Sequence, residues 1–172
     1  MVSLRPASTC RYRLSQSWAR YSKRKPKKNY VKALPHTSLL VFNMGKRKED
    51  YDLEMRLVSS EKIQIRSNSL ESARLTCNKY LEANIPEGYM FKILVYPHQV
   101  IREHKMASGA GADRISKGMT LAFGKPVSMA ARINKGQSVF LVKTTAPNRK
   151  HVATAFSRAM AKMSGSYKIM AE

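Results

Sequence analysis

From residue 39 onward the chain alternates short apolar runs with two stretches of helical period. Residues 39–42 form a brief apolar strand closed by Asn43, Met44 and Gly45. Residues 53–58 and 62–66 read as two more strands, with Ile63 and Ile65 alternating against polar neighbours. The link Ser59, Ser60, Glu61 between them predicts a hairpin. Ser67 or Asn68 then caps a helix, with Glu71 three positions past Asn68 as in a capping box. Leu70, Ala73, Cys77, Tyr80 and Leu81 fall on one face of that helix, and Pro86 and Gly88 end it. Residues 89–96 set Phe91, Ile93 and Val95 against Lys92 and Leu94, which predicts a central strand stopped by Pro97.

Between residues 102 and 124 the periodicity disappears, and Gly109, Gly111, Gly118 and Gly124 lie among Ala, Ser and Lys. Strand character resumes at 127–133 and 138–144, on either side of a turn at Asn134, Lys135 and Gly136. Val152, Ala155, Phe156, Ala159, Met160 and Met163 step through a second amphipathic helix, and 167–170 closes the chain as a short strand. Strands and helices in mixed order, with hairpins between neighbouring strands, predict an α+β fold: a mixed, mainly antiparallel sheet with two helices on one face. The expected organisation is one α+β domain over 35–172, carrying the loop 102–124, behind an arm at 1–34. No internal repeat is visible.

Charge changes that picture. The net charge is +21, and the first acidic residue, Glu49, follows thirteen lysines and arginines. A one-sided excess of this kind calls for a polyanionic partner. In the arm, Arg5, Arg11, Arg13, Arg20, Lys23, Arg24, Lys25, Lys27, Lys28 and Lys32 are interleaved with Tyr12, Trp18, Tyr21 and Tyr30. Pro6, Pro26 and Pro35 oppose a continuous helix, so the segment is expected to stay extended and to bury nothing of itself. Rings among guanidinium groups suit RNA, where unpaired bases stack on aromatics while cations hold phosphates. DNA compaction is a weaker reading, since no helix-turn-helix accompanies the arm. No apolar run reaches a membrane span, no hydrophobic stretch follows the N-terminus, and no helix opposes a large apolar face to a lysine-rich one. A cytoplasmic protein is expected, with no membrane partner.

Chemistry is sparse. Cys10 and Cys77 lie far apart without a CxxC spacing, so both are expected as reduced thiols, Cys77 as a core residue. Met160 and Met163 also read as core. His36, His98, His104 and His151 show no zinc spacing, and His98, Glu103, His104 and Asp113 lack an orienting partner. Gly109, Ala110, Gly111, Ala112 look like a phosphate cradle, but Arg114 stands where a dinucleotide motif needs glycine. Pro126 after Lys125 rules out a P-loop ending. The better reading of the loop is a cationic segment, with Arg102, His104, Lys105, Arg114 and Lys117 as donors and small residues permitting close approach. No catalytic residue, metal, cofactor or small-molecule substrate is expected. An RNA-modifying enzyme with a basic capture arm is the competing class.

The loop also carries a resemblance. KMASGAGADR at 105–114, GM at 118–119, AFGKPV at 122–127 and AAR at 130–132 are similar to the signature of universal large-subunit ribosomal protein sixteen, in its archaeal and eukaryotic ten-e branch. RP at 5–6, CRYR at 10–13, FxMG at 42–45, QIR at 64–66, NSLESAR at 68–74 and FKILVYPHQVIRE at 91–103 extend the likeness over nearly the whole chain. Ser128, Met129 and His104 depart from the small Gly, Thr and Asn of that family's pattern. Ending at Glu172 favours the archaeal form. The resemblance implies a hammerhead-type α+β fold on large-subunit rRNA, among neighbouring ribosomal proteins. It also implies a place lining the cleft for A-site tRNA, with a glycine-rich loop, here 102–117, pointing to the peptidyl-transferase centre near P-site tRNA.

Overall fold

The computed structural model of the chain describes residues 6–12, 19–20, 33–48, 51–103, 109–115 and 124–171. Among these the elements are α1 (Ser8–Arg11), β1 (Ala19–Arg20), β2 (Asn43–Gly45), β3 (Leu53–Ser59), β4 (Ile63–Arg66), α2 (Ser67–Asn84) and β5 (Tyr89–Ile93). After them come β6 (Gln99–Glu103), α3 (Ala112–Ile115), β7 (Lys125–Ile133), β8 (Ser138–Thr144), α4 (Arg149–Met160) and β9 (Tyr167–Ala171). The α+β class is as expected, and the strand pairings are antiparallel.

The strands form two sheets, in the orders β2-β5-β8-β3-β9 and β1-β6-β7-β4. That arrangement corrects the hairpin expected over 53–66, because β3 pairs with β8 and β9 while β4 pairs with β7. The backbone at the link explains why. Ser59 N–H donates to the Gln137 carbonyl, Gly136 N–H to the Ser59 carbonyl, and Ser60 N–H to the Ser166 carbonyl. The turn at 134–136 thus runs beside the link at 59–62 instead of closing its own hairpin. Three continuous ribbons result, at 53–66, 89–103 and 125–144, and each crosses from one sheet to the other. Where the second ribbon passes the third, Leu94 N–H donates to the Val139 carbonyl, and the alternation of burial persists through Val95 into β6.

The main core fills the inner side of these ribbons. Met55 and Leu57 from β3, Phe91 and Ile93 from β5, and Phe140 and Val142 from β8 meet Leu70, Ala73, Cys77 and Leu81 of α2 and Val152, Ala155, Phe156 and Ala159 of α4. Phe91 and Phe140 stack edge to face at 5.3 Å, the favoured geometry for two buried rings. Met163 is buried in this core just past α4, and Met160 is half-buried against it.

Three local expectations change. The strand predicted at 39–42 forms instead at 43–45, where Met44 lies opposite Phe91, while Leu40 and Val41 are exposed. The capping box is absent: α2 follows β4 directly, Arg66 is the cap residue, and the Glu71 carboxylate pairs with Arg74. Residues 99–103, where the periodicity predicts no element, form β6 because β1 and β7 flank them.

Gly45 shows how tightly β2 is held. Its φ is +81° and an added Cβ would lie 2.2 Å from the Tyr89 carbonyl oxygen. Gly136 has φ +80° but open space around it. Gly45→Ala is expected to cost at least about 2 kcal/mol, combining left-handed strain with a backbone clash. Gly136→Ala, with strain alone, is expected to cost about 1 kcal/mol. Chemical denaturation of the two variants checks the difference.

Candidate nucleic-acid interface

The described part of the arm does not stand away from the body. In α1 the amides of Cys10 and Arg11 both donate to the Ala7 carbonyl, which closes a single helical turn. That turn directs Cys10 into a small cluster with Ile101 and Ala130, where it is 4% exposed. The expectation that this segment buries nothing is therefore corrected at Cys10. Cys10 and Cys77 are free thiols, and burial pushes both up, Cys77 to about 12. The buried Gln64 amide donates to the Cys10 carbonyl at 3.3 Å, so the backbone after the turn is held as well. Further on, β1 runs antiparallel to β6, with Ala19 opposite Ile101 and Arg20 opposite Val100.

Charge completes this attachment. The Glu61 carboxylate accepts from the Tyr12 hydroxyl at 2.7 Å and pairs with Arg11 at 3.4 Å. The Arg11 guanidinium lies 4.6 Å from the centre of the Tyr12 ring. Hydrogen bonds from Ser166 and Tyr12, then the charge of Arg11, hold the Glu61 carboxyl below its ordinary value. Of the arm's proposed RNA contacts, Arg11 is thus partly occupied by an internal acid, and the half-exposed Tyr12 ring is covered on one side.

The long loop leaves the same sheet, since it joins β6 to β7. Arg102, expected among the loop's donors, is the penultimate residue of β6 and is 4% exposed; a register shift after Ile101 sets it opposite Pro126 at the loop's root. Gly109 and Gly111 have φ of +126° and +81°, and a Cβ at either would meet nothing within 4 Å. Backbone conformation, not close packing inside the chain, accounts for glycine there. The amides of Ala112 and Arg114 donate to the carbonyls of Gly109 and Gly111, which start α3 and leave Arg114 exposed. The loop is therefore not structureless throughout. Arg5, Arg13, Trp18, Tyr21, Lys23, Arg24, Lys25, Lys27, Lys28, Tyr30, Lys32, His104, Lys105 and Lys117 lie outside the described residues, as does the Arg20 side chain.

A second cationic region escapes a search for crowded bases because it has no tight run of them. From Arg114 to Ala171 the sequence contains eleven lysines and arginines and no acid. Arg149, Lys150, Arg158 and Lys162 are exposed on or just past α4. On the outer face of the five-stranded sheet, Glu54 takes Lys143 at 2.8 Å and Arg56 at 2.6 Å, and those bonds, Lys143 first, hold its carboxyl low. His98 lies 4.6 Å from the Tyr96 ring, which stacks on Phe42 at 5.5 Å, so its ring is one of an aromatic row.

Comparison with known proteins adds a family-level match: the family described as Ribosomal protein L16p/L10e matches residues 18–170. Large ribosomal subunit protein uL16 of Methanococcus aeolicus is 48% identical over 145 residues, 84% of each chain. The protein of that name from Archaeoglobus fulgidus is 39% identical over 159 residues, 92% of this chain and 91% of its own. That of Methanococcus maripaludis strain C5 is 41% identical over 171 residues, 98% and 94% of the two chains.

The Glu61 contacts predict a pH effect. A carboxyl lowered from 4.5 on folding contributes fully above that value and progressively less as the pH falls through its lower folded value. Glu61→Gln is expected to lower the protection factors of the Cys10 and Arg11 amides at neutral pH, and to make those factors, taken relative to intrinsic exchange at each pH, insensitive to acidification through the carboxylate range. Core amides of β8 should be unchanged.

Proposed function

The chain belongs to the L16p/L10e family of ribosomal proteins, and we propose that it binds large-subunit rRNA and shapes the cleft for A-site tRNA, with its glycine-rich loop turned toward the peptidyl-transferase centre near P-site tRNA. At the coarser level it is a structural constituent of the large ribosomal subunit in the cytoplasm, in a family of ribosomal structural proteins and not of enzymes.

One observation carries the finer reading: the four-stranded sheet roots both cationic segments. Its edge strand β1 leads into the run of bases at 20–28, and its β6 and β7 bracket the loop. The arm then neutralises phosphates between rRNA helices, while the body fixes the base of the loop. Exposed Arg114 and the adjoining Lys117 supply positive charge where tRNA backbones would pass. Nothing in this assignment needs a reaction, a metal or a cofactor. Neighbouring ribosomal proteins are further partners.

Because α1 and β1 pack on the body, deleting the arm would confound charge with packing. Lys23, Arg24, Lys25, Lys27 and Lys28 are better changed together to Gln. The salt slope for binding deproteinised large-subunit rRNA is expected to fall by about 3.5 to 4.5, at about 0.7 to 0.9 for each phosphate no longer neutralised. An unchanged slope would remove the arm from the mechanism.

Arg114→Ala with Lys117→Ala is expected to leave thermal stability within about 0.5 kcal/mol, as for exposed charges away from the core. Subunits reconstituted with that variant should bind A-site tRNA more weakly. Parallel losses of stability and tRNA binding would contradict a loop that acts by contact.

A further inference from the structure

We infer that the solvent face of α4 is a docking surface for double-helical rRNA, a contact separate from the arm and the loop that rests on the rRNA-binding reading above. Arg149 and Lys150 stand at one end of the helix, and Arg158 and Lys162 at the other, all exposed. Among the described residues no carboxylate pairs with any of the four. The first turn of α4 holds no acid and no capping side chain, only cations at the pole where the helix dipole is already positive. Such placement is unfavourable for the free chain and becomes favourable once phosphate covers it. Arg158 is also held in place, its guanidinium 4.3 Å from the centre of the Tyr80 ring on α2.

The surface between the two pairs of cations fits a duplex better than a single strand. Thr154 and Ser157 are exposed there, and Ala153 beside them is half-buried. The rings nearby offer an unpaired base no open platform: Phe156 is fully buried, half-buried His151 lies 6.5 Å from Tyr80, and Arg158 covers Tyr80. The Thr154 hydroxyl donates to the Lys150 carbonyl and the Ser157 hydroxyl to the Ala153 carbonyl, each at 3.0 Å. Both oxygens keep lone pairs for a ribose 2′-hydroxyl. Lys150 and Arg158 are separated by about 12 Å along the axis at about 1.5 Å per residue. Cations at that spacing, with short hydroxyl side chains between them, suit the shallow minor groove of A-form RNA and the phosphate strands on its two sides.

The test uses the full chain and three probes: an RNA duplex two helical turns long, the DNA duplex of the same sequence, and single-stranded polyuridylate. Replacing Arg149, Lys150, Arg158 and Lys162 together with Gln should lower the salt slope on the RNA duplex by about 3 to 4. The effect on polyuridylate should be much smaller. Thr154→Val with Ser157→Ala should leave the slope unchanged but narrow the preference for RNA over DNA several-fold. Circular dichroism should show the fourfold variant folded, with a melting temperature at or above that of the parent. An unchanged slope on the RNA duplex overturns the inference, and an equal loss on polyuridylate overturns the assignment to duplex. If the parent chain also fails to bind deproteinised rRNA, it is the broader reading that falls.

Discussion

Ten of the eleven acidic residues fall between Glu49 and Asp113, and that division of charge governs how this chain can fold and what it can hold. Glu54, Glu61, Glu71 and Glu87 each supply a carboxylate to ion pairs among the described residues. Three of them reach out to a flank: Arg11 to Glu61, Lys46 to Glu87 and Lys143 to Glu54. The middle of the chain therefore supplies counter-charge to both ends, but far too little to balance them. Pairs open to water gain little over their solvated partners, so they orient the flanks more than they stabilise them. What remains is an apolar body with two cationic flanks whose excess charge calls for a polyanionic partner.

The body was largely legible because burial alternates with period two along strands and with helical period along α2 and α4. Leu70, Ala73, Cys77, Leu81, Val152, Ala155, Phe156 and Ala159 are all buried as their spacing predicts. Partnering was not legible. Alternation says which face of a strand is buried, but the residues at 59–62 and 134–137 could equally close hairpins or carry a ribbon from one sheet to the next. Hydrogen bonds between those two links decide it, and they join residues more than seventy positions apart. Sequence order cannot reveal such a pairing without the loop-closing contacts themselves.

The candidate interface is legible in its charge and only partly in its geometry. Arg102 reads as a loop residue because the periodicity stops there, but β6 stays paired with β7 as far as Glu103, and Arg102 is buried within that pairing. Cys10 reads as part of an extended arm because its surroundings are basic and proline-bounded, and three distant residues, Gln64, Ile101 and Ala130, bury it. The cations of α4 could have been found in the sequence, by asking where acids are missing and not where bases crowd. A solvated helix face normally mixes both signs, so the lack of any acid from Arg114 to Ala171 was the signal.

The leader's attachment to the body and the RNA contacts proposed for it draw on overlapping groups, Arg11 above all, and this would couple them. Arg11 and Tyr12 are held by Glu61, Cys10 of α1 packs on Ile101 and Ala130, and a two-residue strand lies beyond. Any ligand that prefers the docked or the released leader would shift the balance between them by its difference in affinity. RNA that engages the bases after Arg20 while β1 stays paired to β6 would stabilise the docked form and, with it, the edge of the sheet that roots the loop. RNA that pulled Arg11 from Glu61 would do the reverse. Leader and loop root share β6, so whether phosphate competes with the Glu61 carboxylate or leaves it in place would set the sign of any coupling between them.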